Sequence, residues 1–173
     1  MPQLNDINEK SQEQIAKIRS YASNAKGFML LAGNNGTGKS FVAEAIYQMH
    51  THLKLPHSDI DRAFFITQAD LNEKWLDYKN QFGGAKQFSE DLKKTPLLVI
   101  DDLGTRPPTD AFIDFLYAIL DYRWRLRESL GTIITTNMNS KVMREKFGDA
   151  IVSRVSSGTC IRLEGRDRRF QEF

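Results

Sequence analysis

The sequence predicts an α/β domain in which a parallel β-sheet is sandwiched between helices, and three observations predict it. Short apolar runs without polar alternation recur along the chain, segments of helical period separate them, and a glycine-rich turn joins the first run to the first strong helix. A strand with one wet face would alternate. Strands covered on both faces do not, and crossover helices impose that covering on a parallel sheet. At 173 residues the chain is long enough for one sizeable core.

The elements follow in order. Residues 5–22 are mostly polar, but Ile7, Ile15, Ile18 and Ala22 share one face and predict a leading helix. Phe28, Met29, Leu30, Leu31 and Ala32 form the first strand, the glycine-rich loop spans 33–40, and 41–52 has helical period. Ala63, Phe64, Phe65 and Ile66 are a second strand, and 70–82 a helix with Leu71, Trp75, Leu76 and Tyr78 apolar, ended by Gly83 and Gly84. Pro96 introduces a third strand at 97–100. Residues 110–127 predict a long helix with Phe112, Phe115, Leu116, Ile119 and Leu120 inward, and 132–135 a fourth strand. The chain shows no internal repeat and no low-complexity tract.

Composition excludes several classes. No apolar run approaches the roughly 20 residues that span a bilayer, and the N-terminus is polar and acidic, unlike a secretory signal or transit peptide, so the expected location is the cytoplasm. The single cysteine, Cys160, excludes an internal disulfide and a cysteine metal cluster, and is read as a small core residue beside Ile161. A net charge of +2 neither demands nor forbids nucleic acid. The clusters Arg123, Arg125, Arg127 and Arg162, Arg166, Arg168, Arg169 are read as solvated surface.

Gly33, Asn34, Asn35, Gly36, Thr37, Gly38, Lys39 and Ser40 satisfy G-x-x-x-x-G-K-[ST] between a strand and a helix, the context a phosphate-binding loop requires. Its glycines let backbone N–H groups point inward, and the helix N-terminus adds partial positive charge. Lys39 is placed to reach the β- and γ-phosphates and the Ser40 hydroxyl to ligate Mg2+; the loop with Phe41 after it is the predicted nucleotide-binding set. The absence of an N-K-x-D sequence points to ATP rather than GTP.

Leu97, Leu98, Val99 and Ile100 lead into Asp101 and Asp102, an apolar strand ending in two carboxylates at the edge where open α/β sheets bind ligands. Asp101 is the candidate for the Mg2+ shell and Asp102 for polarising the attacking water. Asn137, after Thr135 and Thr136, is a candidate contact to the γ-phosphate or the water, although Thr-Asn at a strand end is also ordinary turn chemistry.

In order along the chain, Tyr21-Ala22-Ser23-Asn24, GNNGTGKS, LLVIDDLG (97–104), TIITTN (132–137) and FGDAIVSR (147–154) resemble the AAA+ ATPases of the DnaC/DnaI helicase-loader and IstB group. The resemblance implies a P-loop AAA+ fold over residues 25–173. It implies ATP hydrolysis with Lys39 and Ser40 on phosphate and Mg2+, Asp101 as the Walker B acid and Asp102 in the catalytic-acid position. Asn137 then falls at sensor 1, and Arg154 is the finger supplied to a neighbouring subunit in an ATP-dependent homo-oligomer. Asn34 and Asn35 stand where that group often has prolines. The short tail after Arg162 leaves no room for a C-terminal lid domain, and Arg168 or Arg169 are candidate substitutes for sensor 2. Residues 1–24 are a leading helix or linker, the candidate remnant of an N-terminal partner-binding domain.

In that group the helices after the second strand lie near single-stranded DNA. Here that region carries Lys74, Lys79, Lys86, Lys93 and Lys94 interleaved with Trp75, Tyr78 and Phe82, although the helical spacing of the three aromatics favours packing into the core. The resemblance therefore implies a loader of a replicative DNA helicase, with an IstB-like transposition helper as the second reading. A small-molecule P-loop kinase is the reading from another class, disfavoured by the tandem acids and the candidate finger.

Overall fold

The computed structural model describes residues 12–51, 63–81 and 83–165. The helices are α1 (Gln12–Asn24), α2 (Lys39–Thr51), α3 (Gln68–Lys79), α4 (Gly84–Lys94), α5 (Asp110–Arg125) and α6 (Ser140–Val155). The strands are β1 (Gly27–Ala32), β2 (Ala63–Thr67), β3 (Leu97–Leu103), β4 (Gly131–Thr136) and β5 (Thr159–Arg162). Every pairing is parallel, and the order across the sheet is β2-β3-β4-β1-β5. No described helix is long and apolar enough to cross a membrane.

Helices cover both faces of the sheet, as its unbroken apolar strands require. Met29 and Leu31 of β1 pack with Val42, Ala43 and Ile46 of α2 and with Ile18, Tyr21 and Ala22 of α1. Phe28, of opposite parity, joins Leu98, Ile100 and Ile134 against α3–α6. The leading helix thus shares the domain core, and the Tyr21 hydroxyl donates to the Gly27 carbonyl at 3.0 Å.

After β1 the chain turns to the α2 face, and after β4 to the α6 face, so the neighbours β1 and β4 form a topological switch point where a crevice opens at the strands' C-terminal ends. Register aligns the tips: Ala32 lies opposite Thr136, Thr136 opposite Leu103, and Asp101 opposite Thr67. Thr67, Thr109 and Asn139 accept backbone N–H bonds from Asp70, Phe112 and Val142, capping the first turns of α3, α5 and α6 at that same edge.

Three expectations need correction. Cys160 is exposed, because β5 is an edge strand on which Ile161 takes the inward position. Arg123 is no part of a solvated cluster: it is completely buried beneath α4. The predicted helix 70–82 begins two residues earlier, at Gln68, and ends at Lys79. Ile7, Phe82, Arg166, Arg168 and Arg169 lie outside the described residues.

Candidate nucleotide site

The loop at 33–40 is anchored at both ends. Gly33 N–H donates to the Thr136 carbonyl at 3.2 Å, and Val42 N–H to the Gly38 carbonyl at 3.0 Å in the first turn of α2. Gly33 has φ +149°, and a Cβ there would lie 2.1 Å from the Leu163 carbonyl oxygen, so only glycine fits. Gly36 and Gly38 occupy left-handed conformations, φ 72° and 87°, the kind of turn from which backbone N–H groups can form an anion-binding concavity. The Thr37 hydroxyl and the Lys39 ammonium converge on the Asn34 carbonyl, at 2.9 and 2.7 Å. Lys39 and Thr37 are buried, Ser40 and Phe41 half-buried, and Asn34 and Asn35 exposed.

The β3 tip ends at the same edge of the sheet, separated from β1 by β4. Between Ile100 and Leu103 the pairing with β4 shifts register, a bulge that gives β3 one extra residue and re-aims the end of the strand. Asp102 takes φ 55° there, a left-handed conformation that aspartate tolerates better than most residues. Thr135, wholly buried on β4, serves both acids: its hydroxyl donates to Asp101 Oδ1 at 2.6 Å and accepts the Asp102 N–H at 2.8 Å. One layer further, the Thr136 hydroxyl donates to the Leu103 carbonyl at 2.7 Å and accepts the Met138 N–H at 3.1 Å. Asn137 is exposed and lines, with Gly33, Asn34, Leu30, Met138 and Val152, a cleft of about 430 Å³ that opens from the loop along α6.

The predicted site residues therefore fall in two places. Residues 33–41, Asp101, Asp102 and Asn137 gather at the C-terminal edge of the sheet. Arg154 lies on the last turn of α6, near the opposite edge where β5 begins, and its guanidinium is engaged with α5 and α6. It donates to Asp121 Oδ1 at 2.8 and 2.5 Å, to the Tyr117 hydroxyl at 2.9 Å and to the Ala150 carbonyl at 3.0 Å, and it lies over the Tyr117 ring. Gly148, φ 79°, breaks α6 into two helical pieces and so aims the second, which carries Arg154.

Asp121 is shared, since its Oδ2 meets Arg125 at 2.6 Å. The Arg154 hydrogen bond, helped by Arg125, holds its carboxyl below the usual carboxylate range. A depressed folded-state value means that the clasp stabilises the fold above the ordinary aspartate range and is lost as pH falls through it, below about pH 4. Asp121→Asn is expected to remove about 1–3 kcal/mol at neutral pH, between a surface pair and a fully buried one. Urea unfolding of the variant and the parent at pH 7 and pH 3.5 checks this, the difference shrinking at the lower pH.

Sequence reasoning brings Thr135 to this edge, at the end of the fourth strand, but not its bonds to the two acids, and it misses Gln68 altogether. Gln68 gives no signal, because a glutamine ahead of Asp70 looks like an ordinary first-turn residue. On α3 and α4, Trp75 is stacked on Phe115 at 5.3 Å and Tyr78 packs on Phe88 at 4.9 Å, so both are committed to the core, as their spacing favours. Lys74, Lys79, Lys86 and Lys94 are exposed.

The profile of the IstB-like ATP binding protein family matches residues 3–156. A comparison with curated proteins finds no match. Among solved structures, the chain is similar to AMPPCP-bound DnaA from Aquifex aeolicus, with TM-score 0.80 and 16% identity over 94% of this chain and 49% of that one. It is similar to the replication initiator DnaA bound to AMPPCP and single-stranded DNA (0.81, 16%, over 95% and 50%). The DnaC helicase loader is a third similar structure (0.75, 22%, over 94% and 97%). The chain spans about half the length of the two DnaA chains, and at these identities the likeness is one of fold. The family match covers most of the chain, including the loop and strand tips described above, so the chain belongs to the IstB-like ATP-binding protein family and has the AAA+ fold of the DnaC and IstB group.

Proposed function

We propose that this protein binds ATP with Mg2+ at residues 33–41 and hydrolyses it at the interfaces of a homo-oligomer, acting on single-stranded DNA as a loader of a replicative helicase. The observation that carries the reading is the convergence, at one edge of the sheet, of a glycine-rich loop with left-handed turns and two adjacent acids tied to one threonine, Asp101 through its carboxylate and Asp102 through its backbone N–H. The donor set fits a polyphosphate: left-handed glycines, a helix N-terminus and a buried ammonium that now donates to a neutral carbonyl. Ser40 and Asp101 would hold Mg2+, which supplies charge neutralisation across the transferring phosphoryl group. One Asp101 oxygen accepts from Thr135, and the other would be the oxygen available to Mg2+.

Asp102, turned out by the bulge, polarises the water, and Asn137 orients it or the γ-phosphate. Arg154, remote from its own chain's loop, is the group for a neighbour's site, where such a finger contributes about 10³ to 10⁵ in rate. To serve there it must leave Asp121 and Tyr117. Exposed lysines on α3 and α4 support phosphate contact with DNA. The nucleotide and single-stranded DNA bound by the similar DnaA, together with the DnaC likeness, support a replication setting. The family profile itself favours a second reading, an IstB-like transposition helper acting on duplex DNA.

The test is ATP hydrolysis against protein concentration, with and without single-stranded DNA, for the parent and for Arg154→Ala. Specific activity that rises steeply with concentration and collapses in the variant is expected. A concentration-independent rate untouched by the substitution points instead to a monomeric, kinase-like enzyme. Stimulation by duplex but not single-stranded DNA selects the transposition reading.

A further inference from the structure

The turn after Asp102 is held by a residue from a different part of the chain. Gln68, the first residue of α3, is 2% exposed. Its Oε1 accepts the Gly104 N–H at 2.5 Å and its Nε2 donates to the Arg106 carbonyl at 3.1 Å. One carboxamide thereby satisfies a donor and an acceptor of the same turn, from a helix whose preceding residue, Thr67, lies opposite Asp101 in the sheet. On the other side Met138 closes the space: a Cβ at Gly104, φ +97°, would lie 2.2 Å from its methyl carbon. The Lys146 ammonium reaches the Gly104 carbonyl at 3.4 Å.

The conformation of Asp102 needs such confinement. A left-handed non-glycine residue costs about 1–2 kcal/mol and persists only where its surroundings over-determine it. Thr135 fixes its N–H, Thr105 donates twice to its carbonyl, and Gln68 locks the segment two residues on. A methionine or leucine at position 68 would bond neither Gly104 nor Arg106. Burying a glutamine costs up to about 2 kcal/mol of rotamer freedom, which packing alone does not require.

We propose that Gln68 is a positioning residue for ATP hydrolysis: by clamping Gly104 and Arg106 it keeps Asp102 in the orientation from which it acts on the attacking water. The inference rests on the hydrolytic reading above. The hydrogen bonds of Gln68 go to the β3 turn rather than to the phosphate loop, so it governs turnover and leaves nucleotide affinity alone. A misplacement near 1 Å can cost about 10²-fold.

The experiment compares Gln68→Met, equal in length without the hydrogen bonds, and Gln68→Glu, which keeps an acceptor for Gly104 but sets a charge against the Arg106 carbonyl. Expected for Gln68→Met are a kcat lowered about 10- to 100-fold, an unchanged ATP dissociation constant, and faster amide exchange confined to residues 102–106. Gln68→Glu is expected to fall between it and the parent. Parental kcat in Gln68→Met, or a loss of affinity matching the loss of kcat, overturns the proposal. If Gln68→Met fails to fold, Gln68→Glu alone decides: reduced kcat at parental affinity supports the clamp and parental kcat overturns it. A parent that binds ATP without turnover would sink the hydrolytic reading instead. The clamp would then stand or fall on whether exchange at 102–106 quickens in Gln68→Met.

Discussion

Arg123→Met is expected to destabilise the domain by about 3–5 kcal/mol, the cost of leaving two or more buried carbonyls without a donor, a large share of the 5–15 kcal/mol by which domains of this kind are typically stable. The guanidinium is fully buried and, among the described residues, meets no carboxylate. It donates to the carbonyls of Leu92, Lys93 and Thr95 at 2.8, 3.1 and 2.7 Å, to Pro96 at 3.5 Å, to the Gly131 carbonyl, and to the Thr132 hydroxyl at 2.8 Å. Leu92, Lys93 and Thr95 close the C-terminus of α4, where the helix dipole presents partial negative charge. Pro96 and Gly131 open β3 and β4. One side chain thus ties a helix end to the entry of two central strands.

Burial lowers Arg123 to about 10, which leaves it protonated at neutral pH. Methionine replaces the aliphatic stem but not the guanidinium and bonds none of these acceptors, and each buried carbonyl left without a donor costs about 1–3 kcal/mol before the segment relaxes. Arg123→Lys keeps the charge but lacks the planar fork and is expected to recover less than half of the loss. The shift in urea midpoint measures both. Stability of Arg123→Met within about 0.5 kcal/mol of the parent, on the order of an ordinary surface substitution, would show that these hydrogen bonds are incidental.

That arginine marks where the sequence stops being readable. Its neighbours Arg125 and Arg127 are ordinary basic positions, and only the angular position of 123 on α5, one turn beyond Ile119 and Leu120, sets it inward. Strands β1 to β4 are legible because each is a continuous apolar run, and the phosphate loop because its glycines are dictated by backbone geometry rather than by packing. β5 is not, since four residues with a single buried position carry too little pattern. α4 buries only Phe88 and Leu92 of its eleven residues and so resembles a polar linker, while Gly148 interrupts the period of α6. Asp101 and Asp102 can be placed at a strand tip. The bulge between Ile100 and Leu103 and the bonds that Thr135 and Gln68 make around it come from pairing with other elements, which the local sequence does not reveal.

Lys39→Met is expected to abolish ATP turnover, with a loss of at least about 10²- to 10³-fold, the effect of removing one preorganised donor to developing charge. The stem of Lys39 is buried at the start of α2, and methionine retains that packing, so the unfolding midpoint should move little. What disappears is the ammonium now held 2.7 Å from the Asn34 carbonyl. A phosphate oxygen is a charged acceptor, to which an ammonium bonds roughly twice as strongly as to a neutral carbonyl. Asn34 is exposed, and water can replace the lost donor in the variant, which separates this substitution from Arg123→Met, where the orphaned carbonyls lie around a fully buried side chain. Lys39→Arg is expected to fail as well, because a planar fork cannot enter a turn closed by Gly33 against the Leu163 carbonyl. Calorimetric titration with ATP and Mg2+, paired with thermal unfolding of the same samples, checks the claim. Parental affinity and turnover in Lys39→Met would mean that residues 33–40 are a structural turn and that the nucleotide is held elsewhere.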